Sequence, residues 1–87
     1  MFFVYILECN DKTLYTGYTN DLENRLRKHN EGTGARYTRA RLPVTLEYHE
    51  SMETKSDALR REIEIKGIGR AKKLKMIEDW KIKQSSI

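Results

Sequence analysis

The chain reads as a small α+β protein, with a three-stranded antiparallel sheet flanked by helices in the order ββαβαα. Three observations carry that reading. An apolar N-terminal run, F-F-V-Y-I-L, is followed after a short polar turn by a second β-favouring run, L-Y-T-G-Y-T. Two segments with helical caps and periodicity then lie on either side of an alternating stretch, V-T-L-E-Y-H-E. With 87 residues, 38% of them hydrophobic and 34% charged, there is apolar material for one core only. Residues 1–83 are therefore expected to form a single domain, and residues 84–87 to fray as a tail.

Phe2 to Cys9 is almost continuously apolar, the pattern of a strand covered on both faces. Asn10-Asp11-Lys12 supplies a turn, and Thr13 to Thr19 forms the returning strand. A loop of those three residues pairs Tyr5 with Gly17 and Tyr15 with Leu7, which places both tyrosines on one face. A two-residue loop would put them on opposite faces. Asn20 with Glu23 resembles a capping box and starts a helix to about Asn30. Gly32-Thr33-Gly34 stops it and opens a basic loop, A-R-Y-T-R-A-R-L-P. Val44 to Glu50 is the third strand. Thr54 with Asp57 caps a second helix that Gly67 ends, and a third runs from Arg70 to Lys83 with Leu74, Ile77 and Trp80 on one side.

Charge is unevenly spread over this frame. The formal net charge is +4, yet residues 1–24 are net acidic. Arg25, Arg27, Lys28, Arg36, Arg39 and Arg41 face Glu31 alone in the next stretch, and Lys55 to Lys83 is again rich in lysine and arginine. Local excesses of this kind fit a polyanionic partner or a charged, solvated surface. Cys9 is the only cysteine, so no intrachain disulfide forms, and a zinc cluster lacks ligands. The N-terminal run is too short to span a bilayer and has no basic start or cleavage site, so a reducing, cytoplasmic setting with no membrane partner is expected.

Polar residues fall where the helices should be apolar. With Leu22 and Leu26 as the inward reference, a step of about 100° per residue brings Arg25 and His29 to the border of the buried sector. Taking Leu59 and Ile63 as the reference for the second helix places Glu62 amid its apolar stripe. A buried carboxylate needs a partner. Lys66 one turn on, or Arg25 across the interior, would make it a structural ion pair. Alternatively Glu62 is a ligand for Mg²⁺, which takes few protein oxygens and keeps waters. Arg25 is likewise either an ion-pair partner or a fork for a phosphate. His29 is either a hydrogen-bonded semi-buried histidine or part of a site, and the tyrosines are sheet aromatics or reactive phenols. Converging in one interior, these residue types suit phosphodiester cleavage.

The motifs F-V-Y, Y-T-G, D-L-E-N-R-L-R-K-H and A-L-R-R-E-I-E-I-K resemble, in that order, the blocks of the GIY-YIG nuclease superfamily. The likeness runs from about Phe2 to Lys66, and G-T-G-A-R-Y-T is closest to the small stand-alone bacterial members. Phe3 stands at a position of glycine in the family's namesake. Tyr18 stands where some repair members carry lysine, and Leu74 where larger members carry asparagine.

The resemblance implies a DNA endonuclease that uses one Mg²⁺ or Mn²⁺ ion on Glu62. Tyr5 would be the general base with Tyr15 supporting it, Arg25 would bind the scissile phosphate, and His29 would orient water or the base. Gly17 would be the motif glycine. Tyr18, Arg36, Arg39 and Arg41 would contact DNA, with the lysines of the last helix on flanking phosphates. Structure-directed cleavage in DNA repair or processing, on branched or single-stranded DNA and with a targeting protein, is the expected role. The alternatives are a catalytically degenerate nucleic-acid-binding module on the same scaffold and a basic surface for an acidic protein partner.

Overall fold

In the computed structural model, which describes residues 1–85, the chain forms β1 (Phe2–Glu8), β2 (Leu14–Thr19), α1 (Leu22–Asn30), α2 (Arg36–Arg39), β3 (Thr45–Met52), α3 (Lys55–Lys66) and α4 (Arg70–Ser85). The strands make one antiparallel sheet in the order β2-β1-β3. This is the expected α+β arrangement with one addition, the short α2 inside the basic loop.

The hairpin turn fixes the register. The Lys12 amide donates to the Cys9 carbonyl and the Cys9 amide to the Thr13 carbonyl, each at 2.9 Å. Lys12 adopts a left-handed conformation, φ 71°, at the last turn position. The loop is therefore residues 10–12, and Tyr5 pairs with Gly17 and Leu7 with Tyr15, as the three-residue reading requires.

Because β1 is central, its apolar run feeds two cores. Val4 and Ile6 pack with Ala58, Ile65 and Ile77 of α3 and α4 on one face. Tyr5, Leu7 and Cys9 pack with Val44 and with Leu22 and Leu26 of α1 on the other. Such two-sided cover explains why no polar residue interrupts Phe2–Leu7.

Four local readings are corrected by the coordinates. The cap of α1 is Asp21 rather than Asn20; its carboxylate accepts the Asn24 amide at 3.1 Å. Thr54 caps α3 as expected, accepting the Asp57 amide at 3.1 Å. However, Ile63 is 68% exposed, and α3 instead buries Ala58 and Ile65. The inward arc is thus rotated towards Glu62 and away from Ile63. On α4, Leu74 is exposed, while Ile77 is buried and Trp80 packs edge-on against His49 of β3 at 5.2 Å. This helix also continues to Ser85, through Gln84, where a frayed tail was expected; Ser86 and Ile87 lie outside the described residues.

One side chain joins α1 to the start of β3. Asn30 donates to the Val44 carbonyl at 3.1 Å and accepts the Val44 amide at 2.8 Å, a peptide-like pair beside a buried valine. Replacing Asn30 by alanine leaves both backbone groups unpaired. We expect Asn30→Ala to cost about 2 kcal/mol in urea unfolding, and a loss below about 0.5 kcal/mol would contradict that role.

Candidate active site

β2 lies at the edge of the sheet, and this lets residues from both faces meet. Tyr5, Arg25 and His29 come from the α1 face. Glu62 comes from α3, whose buried residues lie against the opposite face. One groove at this edge is lined by Phe2, Tyr18, Thr19, Asn20, Arg25 and Lys55.

Tyr5 and His29 form the centre. The Tyr5 hydroxyl lies 3.0 Å from His29 Nε2, and Arg25 Nε donates to it at 3.4 Å. On the other side of the ring, His29 Nδ1 lies 2.8 Å from Thr38 Oγ1, which donates to the Ala35 carbonyl at 3.0 Å. These directions make a continuous chain. Arg25 donates to Tyr5, Tyr5 to Nε2, Nδ1–H to Thr38, and Thr38 to a carbonyl. The Ala35 amide also approaches Nδ1, at the longer distance of 3.4 Å. α2 thus contributes Thr38, which fixes the imidazole that α1 supplies.

Two glycines make room for this chain. A Cβ on Gly17 would stand 2.6 Å from the Tyr5 hydroxyl, and one on Gly34 would stand 2.5 Å from His29 Nδ1. The Gly17 of Y-T-G is therefore the space the phenol occupies, and Gly34 lets the loop close over the histidine.

Burial shapes both titrations. It pushes the Tyr5 phenol above its ordinary range, against the hydrogen bond and charge of Arg25, with Tyr15 and Glu62 adding to the rise. Burial, with the Arg25 charge, lowers His29 to about 4. Near neutrality the pair is a neutral phenol hydrogen-bonded to a neutral imidazole.

Tyr15 touches the same imidazole edge-on, with ring centroids 5.4 Å apart, and stacks on Tyr37 of α2 at 6.0 Å. Arg41 lies over the Tyr37 ring at 3.9 Å, bonds Asp11 at 3.0 Å and donates to the Tyr37 carbonyl at 2.8 Å. Expected on the sequence to meet DNA, Arg41 instead spends its guanidinium on the hairpin turn and α2. Arg36 and Arg39 are exposed and form no ion pair among the described residues. Tyr18 lies on the sheet face opposite Tyr5 and borders the Arg25–Lys55 groove.

Glu62 has one described partner, Lys66 Nζ at 3.6 Å, and its side chain is 14% exposed. Of the two structural partners open to it, Lys66 is therefore the one in contact, and Arg25 forms no ion pair among the described residues. No group of three His, Cys, Asp or Glu residues that could hold a metal occurs among the described residues. No helix there is long and apolar enough to cross a membrane.

The GIY-YIG catalytic domain aligns with residues 1–75. The chain belongs to the GIY-YIG nuclease family. Within it, the chain is 54% identical over 77 residues to a UPF0213 protein of Staphylococcus saprophyticus, covering 88% of this chain and 94% of that one. It is 57% identical over the same length to a UPF0213 protein of Staphylococcus epidermidis. The solution NMR structure of a UPF0213 protein from Bacillus halodurans superimposes with TM-score 0.57 at 44% identity, covering 90% of this chain and 84% of that one. A solution NMR structure of an E. faecalis protein gives 0.60 at 38% identity, covering 92% and 85%. Sequence reasoning about this GIY-YIG chain missed Thr38 and Tyr37, which lay unremarked in G-T-G-A-R-Y-T, and missed Gly34 as the residue that seats His29.

Two expectations follow from this packing. Gly17→Ala should destabilise the fold by about 1–3 kcal/mol and shift the Tyr5 ring signals in NMR spectra, and an unperturbed Tyr5 would contradict the close approach. His29 also predicts a pH dependence. Its folded pKa of about 4 lies below the ordinary 6.5, so between those values the unfolded chain binds the proton and the folded chain does not. Stability should fall as pH is lowered from 6.5 towards 4, and urea midpoints of a His29→Asn variant should lack that part of the slope.

Proposed function

We propose that the protein is a divalent-cation-dependent DNA endonuclease, directed by DNA structure rather than base sequence and acting in DNA repair or processing. One observation carries the reading: Arg25, Tyr5 and His29 form one hydrogen-bonded chain, with Arg25 also lining a groove beside β2.

Glu62 is the residue that would hold Mg²⁺ or Mn²⁺. It fits that task because it is largely enclosed and is held only by the 3.6 Å contact with Lys66. A lone carboxylate suits an ion that completes its shell with water and substrate oxygens, and it does not suit zinc. Bound there, a divalent cation supplies Lewis-acid polarisation of a phosphate oxygen and charge for the leaving 3′ oxygen.

The chain's own groups divide the remaining work. Arg25 uses Nε on Tyr5 and keeps its terminal nitrogens for the oxygens of the scissile phosphate, where charge accumulates in the transition state. Tyr5 acts as general base towards the attacking water in its phenolate form, and His29 orients its oxygen. The Arg25 charge favours that form of the phenol. His29 acts on the base and not on water, because it is fully buried. Tyr15 and Thr38 hold the imidazole from its edge and from Nδ1. Arg36, Arg39 and the lysines of α4 hold flanking phosphates, Tyr18 and Lys55 border the groove beside Arg25, and a partner protein supplies targeting.

The test is cleavage of labelled single-stranded, duplex, flap and four-way-junction DNA with Mg²⁺ or Mn²⁺. Glu62→Gln and Arg25→Ala should each lower cleavage about a thousandfold or more while remaining folded and still binding DNA. Retained cleavage in both variants would remove these residues from the site. Binding without cleavage of any substrate by the unaltered protein would make it a nucleic-acid-binding module on the same scaffold.

A further inference from the structure

A groove of about 220 Å³ opens at the β2 edge, lined by Leu14, Tyr15, Thr16, Tyr37, Lys66 and Lys73. Its walls come from β2, α2, α3 and α4, and it starts at Tyr15, beside the imidazole of the site. The site's other groove, with Arg25 and Lys55, borders the opposite end of β2. Lys55 and Lys66 open and close α3, so the two grooves are about 16 Å apart along that helix.

Three features of the second groove are unexplained by folding. Two ammonium groups converge on it. Lys73 makes no ion pair among the described residues, and Lys66 has only the long, half-exposed contact with Glu62. A cleft lined by one sign of charge concentrates ions of the other sign. Thr16, 4% exposed, carries the one buried side-chain polar atom among the described residues that lacks a hydrogen-bond partner. Buried hydroxyls are nearly always paired, so this one is a donor lacking an acceptor in the wall of the groove. Finally, the stacked Tyr15 and Tyr37 rings, clamped from outside by Arg41, make a stiff wall facing the lysines.

We infer that this groove is a phosphate subsite for a nucleic-acid strand, receiving a phosphodiester of the same strand farther along from the one that is cut. Lys66 and Lys73 neutralise its charge, and the Thr16 hydroxyl donates to a non-bridging oxygen. The inference rests on the nucleic-acid reading above and adds the path of the strand. The strand runs along the exposed edge of β2, from the Arg25–Lys55 groove past Tyr15 to Lys73.

The test is binding, without cleavage, of a dye-labelled single-stranded oligonucleotide, followed by anisotropy in EDTA over a salt series. The full-length protein, Lys73→Met, Thr16→Val and Lys28→Met are compared; Lys28 is exposed on α1, away from the groove, and its loss changes net charge equally. Lys73→Met should bind about fivefold more weakly and lower the salt slope by about 0.7. Thr16→Val should bind several-fold more weakly with an unchanged slope, and should unfold no earlier than the parent because it removes an unpaired hydroxyl. If Lys73→Met behaves like Lys28→Met, or Thr16→Val binds like the parent, the subsite is overturned and the nucleic-acid reading stands. If the parent shows no salt-dependent binding, that reading falls and takes the subsite with it.

Discussion

The Tyr5–His29 hydrogen bond is the interaction on which the rest of this small protein turns. Both groups are buried, one on the central strand and one on the first helix, and each removes the other's cost of leaving water. Their contact requires Gly17 opposite Tyr5, Gly34 beside His29 and Thr38 behind the imidazole. Three loops and elements far apart in the chain are thereby committed to one point. A domain of this size has little stability in reserve, so a polar pair in one of its two cores is tolerated only because each member is hydrogen-bonded.

Electrostatics then separates the roles of groups that look alike in the sequence. Of the basic residues, Arg25 bonds the phenol and keeps donors free, Arg41 is bound into a clasp with Asp11 and Tyr37, and Arg36 and Arg39 point to solvent. Of the acids, Glu50 is taken by Arg61 at 2.7 Å and Glu47 by Lys81 at 2.7 Å, whereas Glu62 has only a long contact. Of these three enclosed carboxylates, Glu62 has the longest contact and the most buried side chain.

Much of this was legible in the residues. The hairpin loop set the pairing of Tyr5 with Gly17, because period-two alternation leaves no other register once the turn is three residues long. The strands and long helices followed from apolar runs and caps. The two misread helix faces share a cause: a helical wheel gives angles relative to a chosen residue, not the direction of the sheet. On α3 the apolar stripe runs from Ile63 and Leu59 past Glu62 to Ala58 and Ile65, and the sheet receives its Ala58–Ile65 side while Ile63 is exposed. Leu74 was misjudged in the same way on α4. The four-residue α2 is too short to have a period, so neither it nor Thr38 left a signal. That Arg25 of α1 and Lys55 of α3 line one groove depends on β2 being the sheet's edge, a property of strand order that no local pattern encodes.

The left-handed Lys12 at the hairpin tip has a consequence for how this chain can vary. Exposed turns usually tolerate an added residue, but here one extra residue would shift β2 by a single position. Thr16 would then take the place of Gly17 over the phenol, and Leu14 the place of Tyr15, exchanging the contents of the two cores. The Asp11–Arg41 clasp would move with it, loosening α2 at its far end. The tip of the hairpin is therefore the length standard of the protein, a place where sequence can drift but residue count cannot.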